Sequence, residues 1–175
     1  IVSGDPLRLP TPFPDLLDAP LPWTGATMVK KSVFDEIGGF DEQLTRSEDT
    51  HLWLRLAAQY DLVFCPSVVA DYRRRRGSLT QSGHAPWKWR AKVLKKLLQE
   101  DWARDHRSAI YKKLSAAYRG DMWHFRNAKK CSDGIKMALL AVRFGPLEPQ
   151  NWRGLAGSIL NAAVRSGPVG SGRSD

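Results

Sequence analysis

At 175 residues and 19.7 kDa, the chain is long enough for one domain and part of a second. Its 42% hydrophobic and 26% charged residues exclude disordered, collagen-like and low-complexity chains, and no apolar run approaches the ~20 residues of a membrane span. The net charge of +9 is uneven: residues 1–72 carry 5 basic and 11 acidic side chains, residues 73–130 carry 17 and 4, and residues 131–175 carry 5 and 3. The middle block needs water or an anionic neighbour, and nucleic acid, anionic lipid head groups and a phosphorylated substrate all qualify. The chain opens on Ile1 without a leader pattern, from which we expect a fragment. Cys65 and Cys131 have neither metal nor redox spacing and are expected to be reduced, packed thiols.

In chain order, residues 5–22 hold six prolines, which predicts an irregular, non-helical covering loop that rejoins a sheet. Residues 24–29 (TGATMV) read as a buried strand, with Gly25 allowing close backbone approach. Val33, Phe34 and Ile37 have helical spacing; Gly38 or Gly39 ends that helix, and Phe40 returns to the core. Thr45 with Glu48 has capping-box spacing and Ser47 is an alternative N-cap, so a helix starts here and runs to about Tyr60 with Leu52, Trp53, Leu56 and Ala57 inward. Residues 62–65 and 67–70 read as one bent strand or two, broken by Pro66. From Trp87 the pattern turns helical: Trp87, Ala91, Leu94, Leu98 and Trp102 share one face, helices follow over 110–130, 135–144 and 152–165, and the tail from Ser166 should be loose. The middle pair reads as one helical hairpin, and a single copy does not make a repeat.

The densest cluster is GGFDEQLTRSEDTHLWLRLA, residues 38–57, flanked by TGATMVKKSVFDEI and DYRRRRGSLT. Taken alone, Glu48-Asp49 at a helix start is ordinary dipole-complementary charge. With a glycine elbow before it and arginines after the strand run, the same pair would sit where a carboxylate, an open backbone and anion-binding groups converge.

G-G-F-D-E at residues 38–42, then E-D-x-x-L-W-L-R-L at 48–56, with Gly25 upstream and Tyr72-Arg73, Ser78 and Thr80 downstream, resembles the acceptor-side half of a family 2 glycosyltransferase. The resemblance covers about residues 20–82 and implies a fold class of α/β, a partial GT-A nucleotide-sugar sheet, followed by an α-helical C-terminal region. It implies inverting transfer from a nucleoside-diphosphate sugar to a carbohydrate or lipid-linked acceptor, of hexosyltransferase type, in cell-envelope polysaccharide biosynthesis. Asp49 matches the family's base, with Glu48 orienting the acceptor or closing the cap. Thr24, Gly25, Arg73 and Arg75 are the implied substrate-binding positions; Arg75 stands where the family often has histidine, and an arginine neutralises phosphate but is a poor metal ligand. The resemblance also implies a divalent cation, Mn or Mg, but the family's D-x-D is absent from these 175 residues. The ligands are therefore expected mostly outside this chain, which alone should be inactive.

We thus expect an acceptor-side part over 1–85, a helical region over 86–165 and a flexible tail over 166–175, in a protein that is cytoplasmic or peripheral on the inner face of the plasma membrane. The competing reading is a basic module binding nucleic acid or an anionic membrane surface through residues 87–130, with Trp87, Trp89 or Trp123 stacking on bases. It leaves the acidic, motif-dense residues 20–72 unexplained, and no specific nucleic acid is expected. His51, His84, His106 and His124 share no ligand spacing and are read as structural or exposed. Trp53 and Arg55 are assigned to packing and structural pairing.

Overall fold

Proline placement decides how this chain starts. Pro12 and Pro14 lie where a short helix, α1 (Phe13–Leu16), begins; first-turn donors have no intrahelical acceptor, so a missing N–H there costs little. The computed structural model describes residues 4–10, 12–18, 22–71, 73 and 86–166. The proline-rich stretch is therefore not the helix-free loop expected: it carries a strand, β1 (Leu7–Leu9), and then α1. It does rejoin a sheet. β1 pairs antiparallel with β2 (Leu62–Phe64) in the register Leu7 to Phe64, Arg8 to Val63 and Leu9 to Leu62, and Arg8 Nε donates to Asp61 Oδ2 at 2.8 Å beside the ribbon.

These two strands are the whole sheet among the described residues, and the other regular elements there are helices. The expected strand over residues 24–29 does not form. Thr24–Ala26 is a turn of 3-10 helix, closed by Ala26 N–H donating to Trp23 O (2.9 Å) and by Thr27 Oγ1 donating to the same carbonyl (2.8 Å). Such local side-chain bonds offer the backbone an alternative to a ladder, and no neighbouring strand is present to outbid them. Residues 67–70 likewise form no strand, and Cys65 is an exposed thiol, not a packed one. What the described residues build is a helical fold with an antiparallel ribbon; they do not assemble a parallel nucleotide-binding sheet.

The helices follow the apolar periodicity closely. α2 (Lys31–Ile37) ends where Gly38 and Gly39 both take left-handed conformations, φ 79° and 64°. α3 (Glu48–Gln59) buries Leu52, Trp53, Leu56 and Ala57, and Ile37 joins this core with Val29, Val33, Phe34 and Tyr60 packed around it. Phe40 stays 40% exposed, meeting Phe34 and Trp53 edge-on instead of entering the core. α4 (Pro86–Leu97) buries Ala91, Val93, Leu94 and Leu97. The side chain of Trp87 lies outside the described residues. Phe13 is fully buried, its ring 5.0 Å from that of Trp102 and 4.7 Å from that of His106.

The chain divides into two compact units, Ile1–Lys113 and Leu114–Asp175, and the division falls inside α5 (Ala103–Asn127). The second unit holds the end of α5 with α6 (Cys131–Phe144) and α7 (Pro149–Ser166). Its centre is polar. Asn151 is buried, with its amide nitrogen 2.7 Å from Ser115 Oγ, 3.0 Å from Ala141 O and 2.7 Å from Gly145 O, while Arg119 donates to its Oδ1 at 2.7 Å. No helix among the described residues is long and apolar enough to cross a membrane.

Candidate functional site

The site begins at the glycine elbow. Gly39 N–H donates to Phe34 O at 3.1 Å across the end of α2, and a Cβ on Gly39 would lie 3.0 Å from the Phe34 ring, so both conformation and space require glycine. The chain then runs through Asp41 and Leu44 to Ser47, a non-glycine residue at φ 58°. A left-handed serine is strained, and such strain concentrates where a backbone must present neighbouring groups. Glu48 and Asp49 follow at once as the first residues of α3. The N-cap of α3 is Ser47, without a side-chain cap bond, and Glu48 is its first residue, so Thr45 and Glu48 are out of register for the expected capping box.

Asp49 is half-buried. Its Oδ1 accepts from Thr50 N–H at 2.6 Å and lies 3.4 Å from Thr50 Oγ1. Its Oδ2 makes no hydrogen bond to a described residue, and neither does the Glu48 carboxylate. One oxygen anchored and one without a hydrogen bond to a described residue, at the start of a helix, is an arrangement that orients a carboxylate for proton acceptance.

Loop 41–47 is held from α4. Lys96 Nζ lies 2.6 Å from Asp41 Oδ2 and donates to Gln43 Oε1 at 2.9 Å, and Lys92 Nζ donates to Gln43 O at 2.8 Å. Asp41 also accepts from Gln43 N–H at 2.9 Å. The Lys96 ammonium, foremost, holds the Asp41 carboxyl below its ordinary range. From the other side Arg55 of α3 donates to Ile37 O at the end of α2 and pairs with Glu100 at 3.3 Å, the structural pairing expected of it. His51 lies among these charges, 3% exposed, with Nδ1 4.0 Å from Asp41 Oδ2 and no hydrogen bond on either ring nitrogen. Burial first, and then the Arg55 guanidinium, push its pKa down to about 4.

The substrate-binding residues read from the sequence fare unevenly. Thr24 and Gly25 lie in the 3-10 turn, and the indole of Trp23 occupies the space over Gly25: a Cβ there would sit 2.9 Å from Trp23 Cζ2. The backbone beside Gly25 is thus approached by the chain's own tryptophan. Val29, four residues on, packs on the core formed by Leu52 and Trp53, so the Gly25 segment and the Asp49 helix share one core. Arg73 is exposed, and Arg75 lies outside the described residues, as do His84 and the tail from residue 167.

Sequence reasoning missed the Lys92–Lys96 clamp because those lysines counted only as free charge in the basic block. Their i, i+4 spacing beside the apolar positions 91, 94 and 97 was the available signal. No three of the described His, Cys, Asp and Glu side chains converge as a ligand set, so the described residues do not fit a cation. A protein-family model described as glycosyltransferase like family 2 matches residues 15–115, more than half of the chain, and ends within two residues of the limit of the first unit. No curated protein and no solved structure matches the chain.

Proposed function

The chain belongs to glycosyltransferase-like family 2, and from that premise we propose that its residues 1–85 form the acceptor side of a sugar-transfer site in which Asp49 removes the proton from the attacking hydroxyl. The half-anchored Asp49 carboxylate behind the left-handed Ser47 carries this reading. The donor in this proposal is a nucleoside-diphosphate sugar and the acceptor a carbohydrate or lipid-linked hydroxyl. A base on the acceptor side and departure of the diphosphate from the opposite side give inversion at the anomeric carbon. In this proposal Glu48 orients the acceptor or closes the helix start, Arg73 and Arg75 neutralise diphosphate, and Thr24 and Gly25 are further substrate-binding positions. The same reading assigns residues 1–85 to the acceptor-side part, 86–165 to the helical region and 166–175 to a tail, in a hexosyltransferase of envelope polysaccharide synthesis at the inner face of the plasma membrane.

With no D-x-D in its sequence and a two-stranded ribbon among its described residues, the 175-residue chain is expected not to turn over by itself. Joined to a donor-binding region, it should transfer sugar with inverted anomeric configuration, read from the product by NMR. Retained configuration would overturn the single-base mechanism, and ordinary turnover by the isolated chain would overturn the need for further residues. Against the nucleic-acid alternative, Lys92 and Lys96 of the basic block are already engaged within the chain.

A further inference from the structure

α7 is packed inside out. Asn151, Gly154 and Ser158 form its buried face, and the close approach is tight enough that a Cβ on Gly154 would fall 2.8 Å from Met122 Sδ. Its large apolar residues point away from that face: Trp152, Ile159, Leu160 and Val164 are 50–82% exposed, and Ala156 and Ala163 are exposed between them. The spacing 152, 156, 159, 160, 163, 164 is a continuous helical stripe of about four turns. Trp152 Nε1 donates to Pro146 O at 2.8 Å, which sets the indole against the loop bearing Leu147, itself 93% exposed. A helix that spends its small residues inside and its large ones outside presents the outer face to something other than water.

The charge pattern selects the occupant. α7 contains no acidic residue and exposes Arg153 beside the stripe, while Lys129, Lys130, Lys136 and Arg143 are exposed elsewhere in the same unit; against these cations stand the exposed Asp133 and the half-exposed Glu148, which precedes α7 and accepts from Gln150 Nε2 at 3.1 Å. An apolar stripe with tryptophan, bordered by arginine and free of carboxylates, matches an anionic lipid interface. A second copy fits less well: six stripe residues fall short of the ~20–30 per side of a standard interface, and self-pairing would bring two cationic units together. We propose that the outer face of α7 lies in the head-group region of an anionic membrane, with Trp152, Ile159, Leu160 and Val164 inserted. This stands apart from the catalytic reading and moves the membrane contact from the basic residues 87–130 to the apolar face of α7.

The test is co-sedimentation of the 175-residue chain with vesicles of phosphatidylcholine alone and of phosphatidylcholine with phosphatidylglycerol. Binding is expected to the mixed vesicles, weakening with salt. The pair Leu160→Glu with Val164→Glu should cut it about tenfold or more. Leu160→Ala with Val164→Ala, which preserves helix propensity, should cut it less, and Val68→Glu on the first unit should leave it unchanged. Equal binding by wild type and the glutamate pair, or equal binding to both vesicle types, would overturn the proposal. So would a concentration-dependent dimer that the glutamate pair dissolves.

Discussion

Lys96 of α4 and Asp41, the aspartate of the G-G-F-D-E run, meet at 2.6 Å, so a helix outside the motif fixes the loop that leads into it. Both side chains are largely buried, which lets the pair escape much of the screening that weakens surface ion pairs.

Lys96→Met is therefore expected to cost about 1–2 kcal/mol of stability at pH 7 and to speed amide exchange at Gln43 and Leu44, while Lys96→Arg retains most of the protection. Because the Asp41 pKa is depressed in the fold, its contribution is present above the unfolded value of 3.8 and is lost as pH falls through the folded value. Urea unfolding between pH 2.5 and 6 should thus show a shallower acid loss in Lys96→Met than in wild type. Identical acid limbs would separate Asp41 from Lys96.

His51 gives a second, distinct pH dependence. Its folded pKa of about 4 lies below the ordinary 6.5, so between these values the unfolded chain binds more protons. Stability is full above about pH 6.5 and falls on acidification towards pH 4, by at most about 3 kcal/mol. His51→Leu should remove that slope, as measured by urea unfolding at pH 7.5 and 4.5.

The two elbow glycines should not be equivalent. A Cβ on Gly38 meets nothing within 4 Å, so Gly38→Ala carries the left-handed penalty alone, about 1 kcal/mol. Gly39→Ala adds the 3.0 Å approach to Phe34 and should cost about 2 kcal/mol or more, read from the midpoint of thermal unfolding.

In the second unit, Asn151→Leu removes one partner each from Ser115, the buried Ala141 carbonyl, the part-buried Gly145 carbonyl and Arg119. We expect a loss of about 2–4 kcal/mol, seen as faster amide exchange through α6 and α7.

The helices were legible because burial imposes a period: Leu52, Trp53, Leu56 and Ala57 point inward as their spacing requires, and Gly38 with Gly39 stops α2 because residues without a Cβ take the left-handed conformation freely. The strand over residues 24–29 was misread because β-branched composition describes a surface that needs neighbours, and Thr27 instead bonds back to Trp23. Pro12 and Pro14 were read as helix breakers, yet in a first turn the same ring favours a helix. The position of Asp49 at a helix start could be read directly from Ser47-Glu48-Asp49. The buried His51 and the lysine clamp depend on contacts between segments up to 55 residues apart, of which the i, i+4 spacing of Lys92 and Lys96 is the one local trace.

The most direct measurement is steady-state transfer by Asp49→Asn in a polypeptide that also carries the donor-binding region. Turnover should fall by about 10² or more with donor affinity nearly unchanged, since the substitution removes the base and leaves the loop's anchors in place. Unchanged turnover with weakened donor binding would place the proton acceptor elsewhere and contradict the role given to Asp49.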